Sequence, residues 1–127
     1  MAEVILRNVS KSFGKTVAID DMSMTVEDGA FVVLLGPTGA GKTTTLRLIS
    51  GLEKLDAGSI HIGGRDVGQE TPAQRDVAMV FQQYSLYPHL TVRDNLAIPL
   101  KTPALRNPPE QITAREQEEA EVLQIAL

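Results

Sequence analysis

Gly36-Pro37-Thr38-Gly39-Ala40-Gly41-Lys42-Thr43-Thr44 is the stretch that decides the fold. It has the form Gly-x-x-x-x-Gly-Lys-Thr, a loop pattern that cradles phosphate when a strand precedes it and a helix follows. The flanks agree. Phe31-Val32-Val33-Leu34-Leu35 is short, continuous and rich in β-formers, which predicts a strand buried on both faces of a parallel sheet. Beyond the loop, Leu46, Leu48, Ile49 and Leu52 recur at helical spacings. They predict a helix that opens near Gly41 and stops at Gly51 or at the Asp56-Ala57-Gly58 turn.

Phosphates carry several negative charges and need many donors at short range. A loop that wraps them must turn its N–H groups inward, and Gly36, Gly39 and Gly41 are expected to supply the backbone freedom. Pro37 stiffens the entry, and Thr38 and Ala40 complete the wrapped backbone. The helix start adds unsatisfied N–H groups and about half a positive charge. Lys42 is expected to reach the β- and γ-phosphates of ATP as a mobile point charge. Thr43 would place its hydroxyl on Mg²⁺, and Thr44 would donate to the α-phosphate. The competing explanation, a glycine-rich turn with an incidental lysine, leaves both flanks unexplained.

Working outward, residues 4–13 alternate in part and read as a strand, with a turn at Gly14-Lys15. Residues 16–26 read as a second extended stretch, with Ala18, Met22, Met24 and Val26 on one face. Glu27-Asp28-Gly29 makes a turn, and residues 59–62 make a strand entering Gly63-Gly64. Residues 77–82 (VAMVFQ) are expected as a second buried strand. Thr91, with Asp94 three residues on, has the form of a capping box and should open a short helix. Three prolines within residues 102–109 mark a loop or linker, and a helix is expected from Glu110 onward.

Composition sets the outer bounds. The 127 residues suffice for one ordinary domain, and 43% apolar with 22% charged is a globular balance. No cysteine is present, which excludes disulfides and thiolate metal sites and fits a reducing compartment. The longest apolar run, AFVVLL, has six residues, far from the roughly twenty a membrane helix needs. MAEVILRNVS lacks a basic start and a long apolar core, so no secretory leader is expected. The net charge of −4 sits in residues 110–127, where five glutamates meet one arginine. This run reads as the solvated face of a helix. The remainder is balanced, and no basic stripe argues for nucleic acid.

Nearly all of residues 3–101 resembles the ATP-binding subunits of ABC transporters, in particular those of bacterial sugar importers. KSFGKTVAIDDMSMTVEDGAFVVLLGPTGAGKTTTLRLISGLEKLDAGSI is similar to the family's N-terminal half. RDVAMVFQQYSLYPHLTVRDNLAIPLK is similar to its next segment and is the more specific of the two. The fold so implied is α/β, a P-loop NTPase of the ABC ATPase type. It would be incomplete, with an N-terminal antiparallel β part and the first part of a RecA-like core. Residues 1–101 would form the N-terminal part of the nucleotide-binding domain, 102–109 a linker, and 110–127 the start of a helical subdomain.

The resemblance also implies roles. Phe13 would stack on adenine, beside Ala18; by composition alone both are ordinary apolar residues. Gln82 would occupy the Q-loop position, where its amide binds Mg²⁺ or the attacking water; otherwise it caps a strand end. With Lys42 it would form the catalytic pair. Gln83 reads as surface. Residues 84–95, with Tyr84, Tyr87 and Asn95, would touch an integral-membrane permease; Tyr84 and Tyr87 are otherwise half-buried domain residues. A second ATP-binding subunit would pair with the full-length protein, at the cytoplasmic side of the bacterial inner membrane. His89 reads as a surface imidazole, and His61 takes no functional reading. Asp20-Asp21 and Glu27-Asp28 are expected in solvated turns.

Three family elements are missing: an LSGGQ-like signature, an apolar strand ending in Asp-Glu, and a later histidine. The chain is therefore expected to be an N-terminal fragment that binds Mg²⁺–ATP, with open sheet edges and poor hydrolysis. A stand-alone nucleotide-binding or interaction module without turnover is the alternative. A small nucleotide kinase or GTPase is disfavoured, because no Asn-Lys-x-Asp motif occurs and Phe13 and VFQQ have no role there.

Overall fold

The computed structural model describes residues 2–82, 86–101 and 108–124. They fall into two compact units, Met1–Met79 and Val80–Leu127.

In the first unit, β1 (Val4–Phe13) and β2 (Thr16–Val26) form the expected hairpin, with Gly14 at φ 58° in the turn. β3 (Ala57–Ile62) lies on the other side of β1 and turns through Gly63-Gly64 into β4 (Arg65–Asp66). The order is β2-β1-β3-β4, antiparallel throughout. Leu6 pairs with Met24 on one side and Ile60 on the other, which centres it in the core. Leu6, Val9, Ile19, Leu48, Ile60 and Val67 are buried together, and Val4, Met22 and Met24 pack on their margin.

The hairpin is not regular. Its register shifts between Leu6 and Val9, and Asn8 and Asp21 both take left-handed backbone, at φ 49° and 46°. Side chains stand in for the lost ladder bonds. Asn8 N–H donates to Ser23 Oγ at 2.8 Å, and Asn8 Nδ2 donates to Asp21 Oδ1 at 2.9 Å. Asp21 N–H donates to Ser10 Oγ at 3.0 Å. Asp20-Asp21 therefore sits within a strand, not in the expected turn, and Asp21 is a bulge residue with partners. Glu27-Asp28-Gly29 is the turn expected, closed by Ala30 N–H on Glu27 O at 3.0 Å.

The helix α1 (Lys42–Ser50) buries Leu48 completely, whereas Leu46 and Leu52 stay exposed. It stops at Gly51, whose φ of 79° lets Leu52 N–H reach back to Arg47 O at 2.9 Å. The remaining end carbonyls go to Arg75, a buried side chain. Its Nη1 donates to Leu48 O at 2.7 Å and to Ile49 O at 3.0 Å, and its Nε donates to Glu70 O at 3.1 Å. A guanidinium there complements the negative helix end. Burial lowers its pKa from the ordinary value, and the Glu70 and Asp66 carboxylates oppose that shift.

Two expected strands do not form. Residues 31–35 join no ladder, with Phe31 92% and Leu35 89% exposed. In residues 77–82, Val80 is 90% exposed. The cause is pairing. β-propensity describes fit to a half-buried pleated surface, and it makes no strand without a neighbour. Among the described residues the ladders join only β1 to β4, all antiparallel.

The second unit holds α2 (Val92–Ala97), a 3-10 turn (Pro99–Lys101) and α3 (Pro109–Val122). Thr91 caps α2 as expected, accepting from Asp94 N–H at 3.1 Å. Ala97 and Ala120 are buried. α3 carries the acidic run, which is solvated apart from Glu116. That side chain is buried, and Arg93 Nε lies 3.9 Å from its Oε2. Of the expected linker, residues 102–107 lie outside the described residues, and Pro109 already belongs to α3.

The α1 terminus yields a stability test. A Cβ on Gly51 would stand 2.7 Å from Arg75 Nε on a left-handed backbone. Gly51→Ala should destabilise the first unit by about 1–2 kcal/mol from backbone strain alone. Arg75→Met should cost about 1–3 kcal/mol through unsatisfied buried carbonyls. Urea unfolding followed by circular dichroism checks both.

Candidate functional site

The loop 36–41 curls tightly before α1. Gly39 and Gly41 take left-handed backbone at φ 83° and 84°, conformations that side chains resist. Gly36 does not, contrary to expectation. Its lack of a side chain serves contact instead, since a Cβ would lie 3.2 Å from Ala40 Cβ. At Gly41 a Cβ would lie 2.5 Å from the Ala18 carbonyl oxygen and 3.3 Å from Ile19 Cγ1. The loop is thus pressed directly onto β2.

Two side chains hold the curl. Thr45, buried in α1, donates from Oγ1 to Gly41 O at 2.9 Å, beside its own N–H on the same oxygen at 2.8 Å. Lys42 Nζ donates to Gly36 O and Pro37 O, both at 2.6 Å, so the ammonium spans the loop from its end to its start. Ala40 N–H on Pro37 O at 3.2 Å closes the intervening turn. Thr43 is exposed and Thr44 half-buried in the first turn of α1.

The electrostatics favour an anion. α1 opens with no side-chain cap and no acid in its first turn. Its first N–H groups have no partner four residues back, and the dipole adds positive charge. The donor set is backbone N–H, one ammonium and threonine hydroxyls, which fits a polyphosphate. For a hard cation the protein offers little of its own, since no group of three or more His, Cys, Asp or Glu residues gathers among the described residues. Thr43 is exposed in the first turn of α1, and an Mg²⁺ here would rely chiefly on phosphate oxygens.

The structure brings Ala18 against the loop and puts Phe13 at the end of the same hairpin, paired with Thr16. Phe13 is 46% exposed, and Lys11 Nζ lies 5.0 Å from its ring centroid. Gln82 is an exposed turn residue of the second unit, not of the unit that carries the loop. Gln83 and Tyr84 lie outside the described residues. His89 is exposed and meets Tyr87 edge-on at 6.1 Å.

Sequence inspection missed Lys11, Thr45 and Arg75, and it named Asn95 only as the end of residues 84–95. Asn95 organises the exposed segment before α2. Its Oδ1 accepts from Tyr87 N–H at 2.8 Å, and its Nδ2 donates to Thr91 O at 2.9 Å and Tyr87 O at 3.2 Å. Beside it, Leu86, Tyr87, Leu90, Val92, Leu96 and Leu123 line an apolar groove of about 360 Å³. Thr91 Oγ1 also donates to Asp94 Oδ2 at 2.7 Å, and this bond first of all holds the Asp94 carboxyl below the ordinary carboxylate range. An asparagine four residues after a capping threonine was the available signal, since its amide reaches the preceding turn.

The sequence profile of the ABC transporter family matches residues 19–126. Over 126 residues the chain is 49% identical to an sn-glycerol-3-phosphate import ATP-binding protein, UgpC, of Brucella abortus (strain 2308), a match covering 98% of this chain and 35% of that protein. It is 46% identical over 127 residues to the trehalose import ATP-binding protein SugC of Mycobacterium tuberculosis (strain ATCC 25618 / H37Rv), covering 98% and 32%. The chain therefore spans about a third of the length of the curated relatives it matches. Among solved structures, the dimeric ATP-binding cassette MJ0796 with ADP and phosphate superposes with a TM-score of 0.80 at 27% identity. That match covers 97% of this chain and 58% of that one. The expected α/β fold, part of a P-loop ABC ATPase, is thereby established.

Two experiments probe this geometry. Gly39 has nothing within 4 Å of a would-be Cβ, so Gly39→Ala should cost only its backbone strain, about 1–2 kcal/mol. Gly41→Ala must also displace the β2 backbone and should cost more; equal urea midpoints would refute the close contact. For Asp94, the bonded carboxylate contributes above its ordinary pKa and loses that contribution as pH falls through the lower folded value. Thr91→Ala should raise the Asp94 pKa toward the ordinary range, as read by carboxyl NMR titration.

Proposed function

The chain belongs to the ABC transporter family, and on that premise we propose that it is the nucleotide-capturing part of an ATP-hydrolysing subunit that energises bacterial solute import of the carbohydrate-uptake type. One observation carries the proposal. A lysine ammonium lies across a loop of two left-handed glycines, at the start of a helix with neither cap nor acid. Such a place collects positive potential and backbone donors with no internal anion to satisfy them.

In this scheme residues 36–44 wrap the phosphates. Lys42 leaves its loop carbonyls for the β- and γ-phosphates, Thr43 contributes a hydroxyl to Mg²⁺, and Thr44 donates to the α-phosphate. Bound Mg²⁺ would neutralise charge on the phosphate oxygens. Phe13 stacks on adenine with Ala18 at its side. Gln82 offers an uncharged amide oxygen to the ion or to water. Residues 1–101 form the nucleotide-binding part, 102–108 the linker, and α3, from Pro109, opens a helical subdomain.

Partners follow from the same premise. Relatives are named as import ATP-binding proteins, and a solved cassette is dimeric. We assign residues 84–95, with the Asn95-held turn and its apolar groove, to contact with a membrane permease. A second ATP-binding subunit completes the working assembly at the cytoplasmic face of the inner membrane. No helix among the described residues is long and apolar enough to cross a membrane.

Turnover needs an acid that polarises water, and no apolar strand ending in Asp-Glu follows residue 82 in this sequence. The 127-residue chain should therefore bind Mg²⁺–ATP by calorimetry yet release phosphate at close to the blank rate. Lys42→Ala should weaken binding about tenfold or more, the scale of a lost charged hydrogen bond. Brisk phosphate release that Gln82→Ala abolishes would overturn the division between capture and turnover.

A further inference from the structure

Lys11 plays no part in the scheme above, yet it is an enclosed cation beside Phe13. Its side chain is only 12% exposed, and its Nζ lies 5.0 Å from the centroid of the Phe13 ring. That distance is within cation–π range. Two carboxylates hold the ammonium in place. Glu53 Oε2 is 3.6 Å away and Asp56 Oδ1 is 3.8 Å away. Both acids are themselves fixed. Glu53 Oε1 accepts from Arg47 Nη2 of α1 at 3.3 Å. Asp56 Oδ2 accepts from Ser12 N–H at 2.7 Å, and Asp56 N–H donates to Ser10 O at 2.9 Å.

These contacts form one chain of charges, from α1 through Glu53 to Lys11 and onto the Phe13 ring. Phe13 is the last residue of β1, next to a glycine turn and 46% exposed, so packing alone does little to fix its ring. The cation supplies the missing constraint. It also draws ring electron density toward itself, which favours an electron-rich base on the open flank.

We propose that Lys11, anchored by Glu53 and Asp56, is a positioning residue that holds the Phe13 ring for stacking against the nucleotide base. The proposal rests on the assignment of Phe13 to adenine. It makes the base-binding side of the site depend on the helix that also presents the phosphate donors, because Arg47 of α1 closes the charge chain. Lys11 does not touch phosphate in this scheme.

The test compares Mg²⁺–ATP with inorganic tripolyphosphate, which has no base, on the full chain. Lys11→Met should weaken ATP binding about two- to fivefold, the fold-change expected of one cation–π contact. It should leave tripolyphosphate binding unchanged, and Lys11→Arg should restore ATP binding. In a Phe13→Ala background the Lys11→Met effect should vanish. Glu53→Gln should give a smaller loss of the same kind, which keeps the test open if Lys11→Met fails to fold by circular dichroism. Unchanged ATP binding in Lys11→Met, an equal loss for tripolyphosphate, or an undiminished loss in Phe13→Ala would each overturn the proposal. Failure of the unaltered chain to bind tripolyphosphate would instead defeat the phosphate-loop assignment, and this inference with it.

Discussion

Gly41 approaches the Ala18 carbonyl so closely that no side chain fits between them. That single steric constraint ties together the parts that matter. It fixes where the loop meets the hairpin, and it places the first turn of α1 over the sheet. It also forces the left-handed backbone at the helix entrance, because only glycine is both small enough and permissive enough there. Thr45 then locks the carbonyl of the same residue from within the helix. The loop conformation is thus built into the fold and does not await a ligand.

The two ends of α1 are treated oppositely. At its start, donors are left without side-chain acceptors and the nearest charge is positive. At its end, Gly51, Leu52 and Arg75 satisfy the carbonyls almost completely. A helix stabilised at one terminus can tolerate exposed donors at the other. Arg75 therefore supports the donor-rich start of α1 by holding its opposite end, and at considerable sequence distance.

Legibility in the sequence followed locality. The β1–β2 hairpin, the α1 start and stop, the turn at Gly63-Gly64, the Thr91 cap and the α3 helix are each written within a few residues. Spacing and turn chemistry therefore expose them. Residues 31–35 and 77–82 announce strand composition, but whether a strand exists is settled by a neighbour, which composition does not report. The loop motif marked a tight turn at the start of α1 yet did not separate Gly36 from the two glycines that need left-handed backbone. Arg75 and the Lys11–Glu53 link join residues more than twenty-five apart, so no local pattern signals them. The base-side role proposed for Phe13 rests on family resemblance, because nothing in its local sequence separates it from an ordinary apolar strand-end residue.

The clamp that Asn95 places on the turn before α2 has a separate consequence. The turn loses its configurational entropy when the chain folds, not when it meets a partner. A partner docking there would demand little ordering of the backbone, and shape match between two nearly rigid bodies would govern how long they stay together.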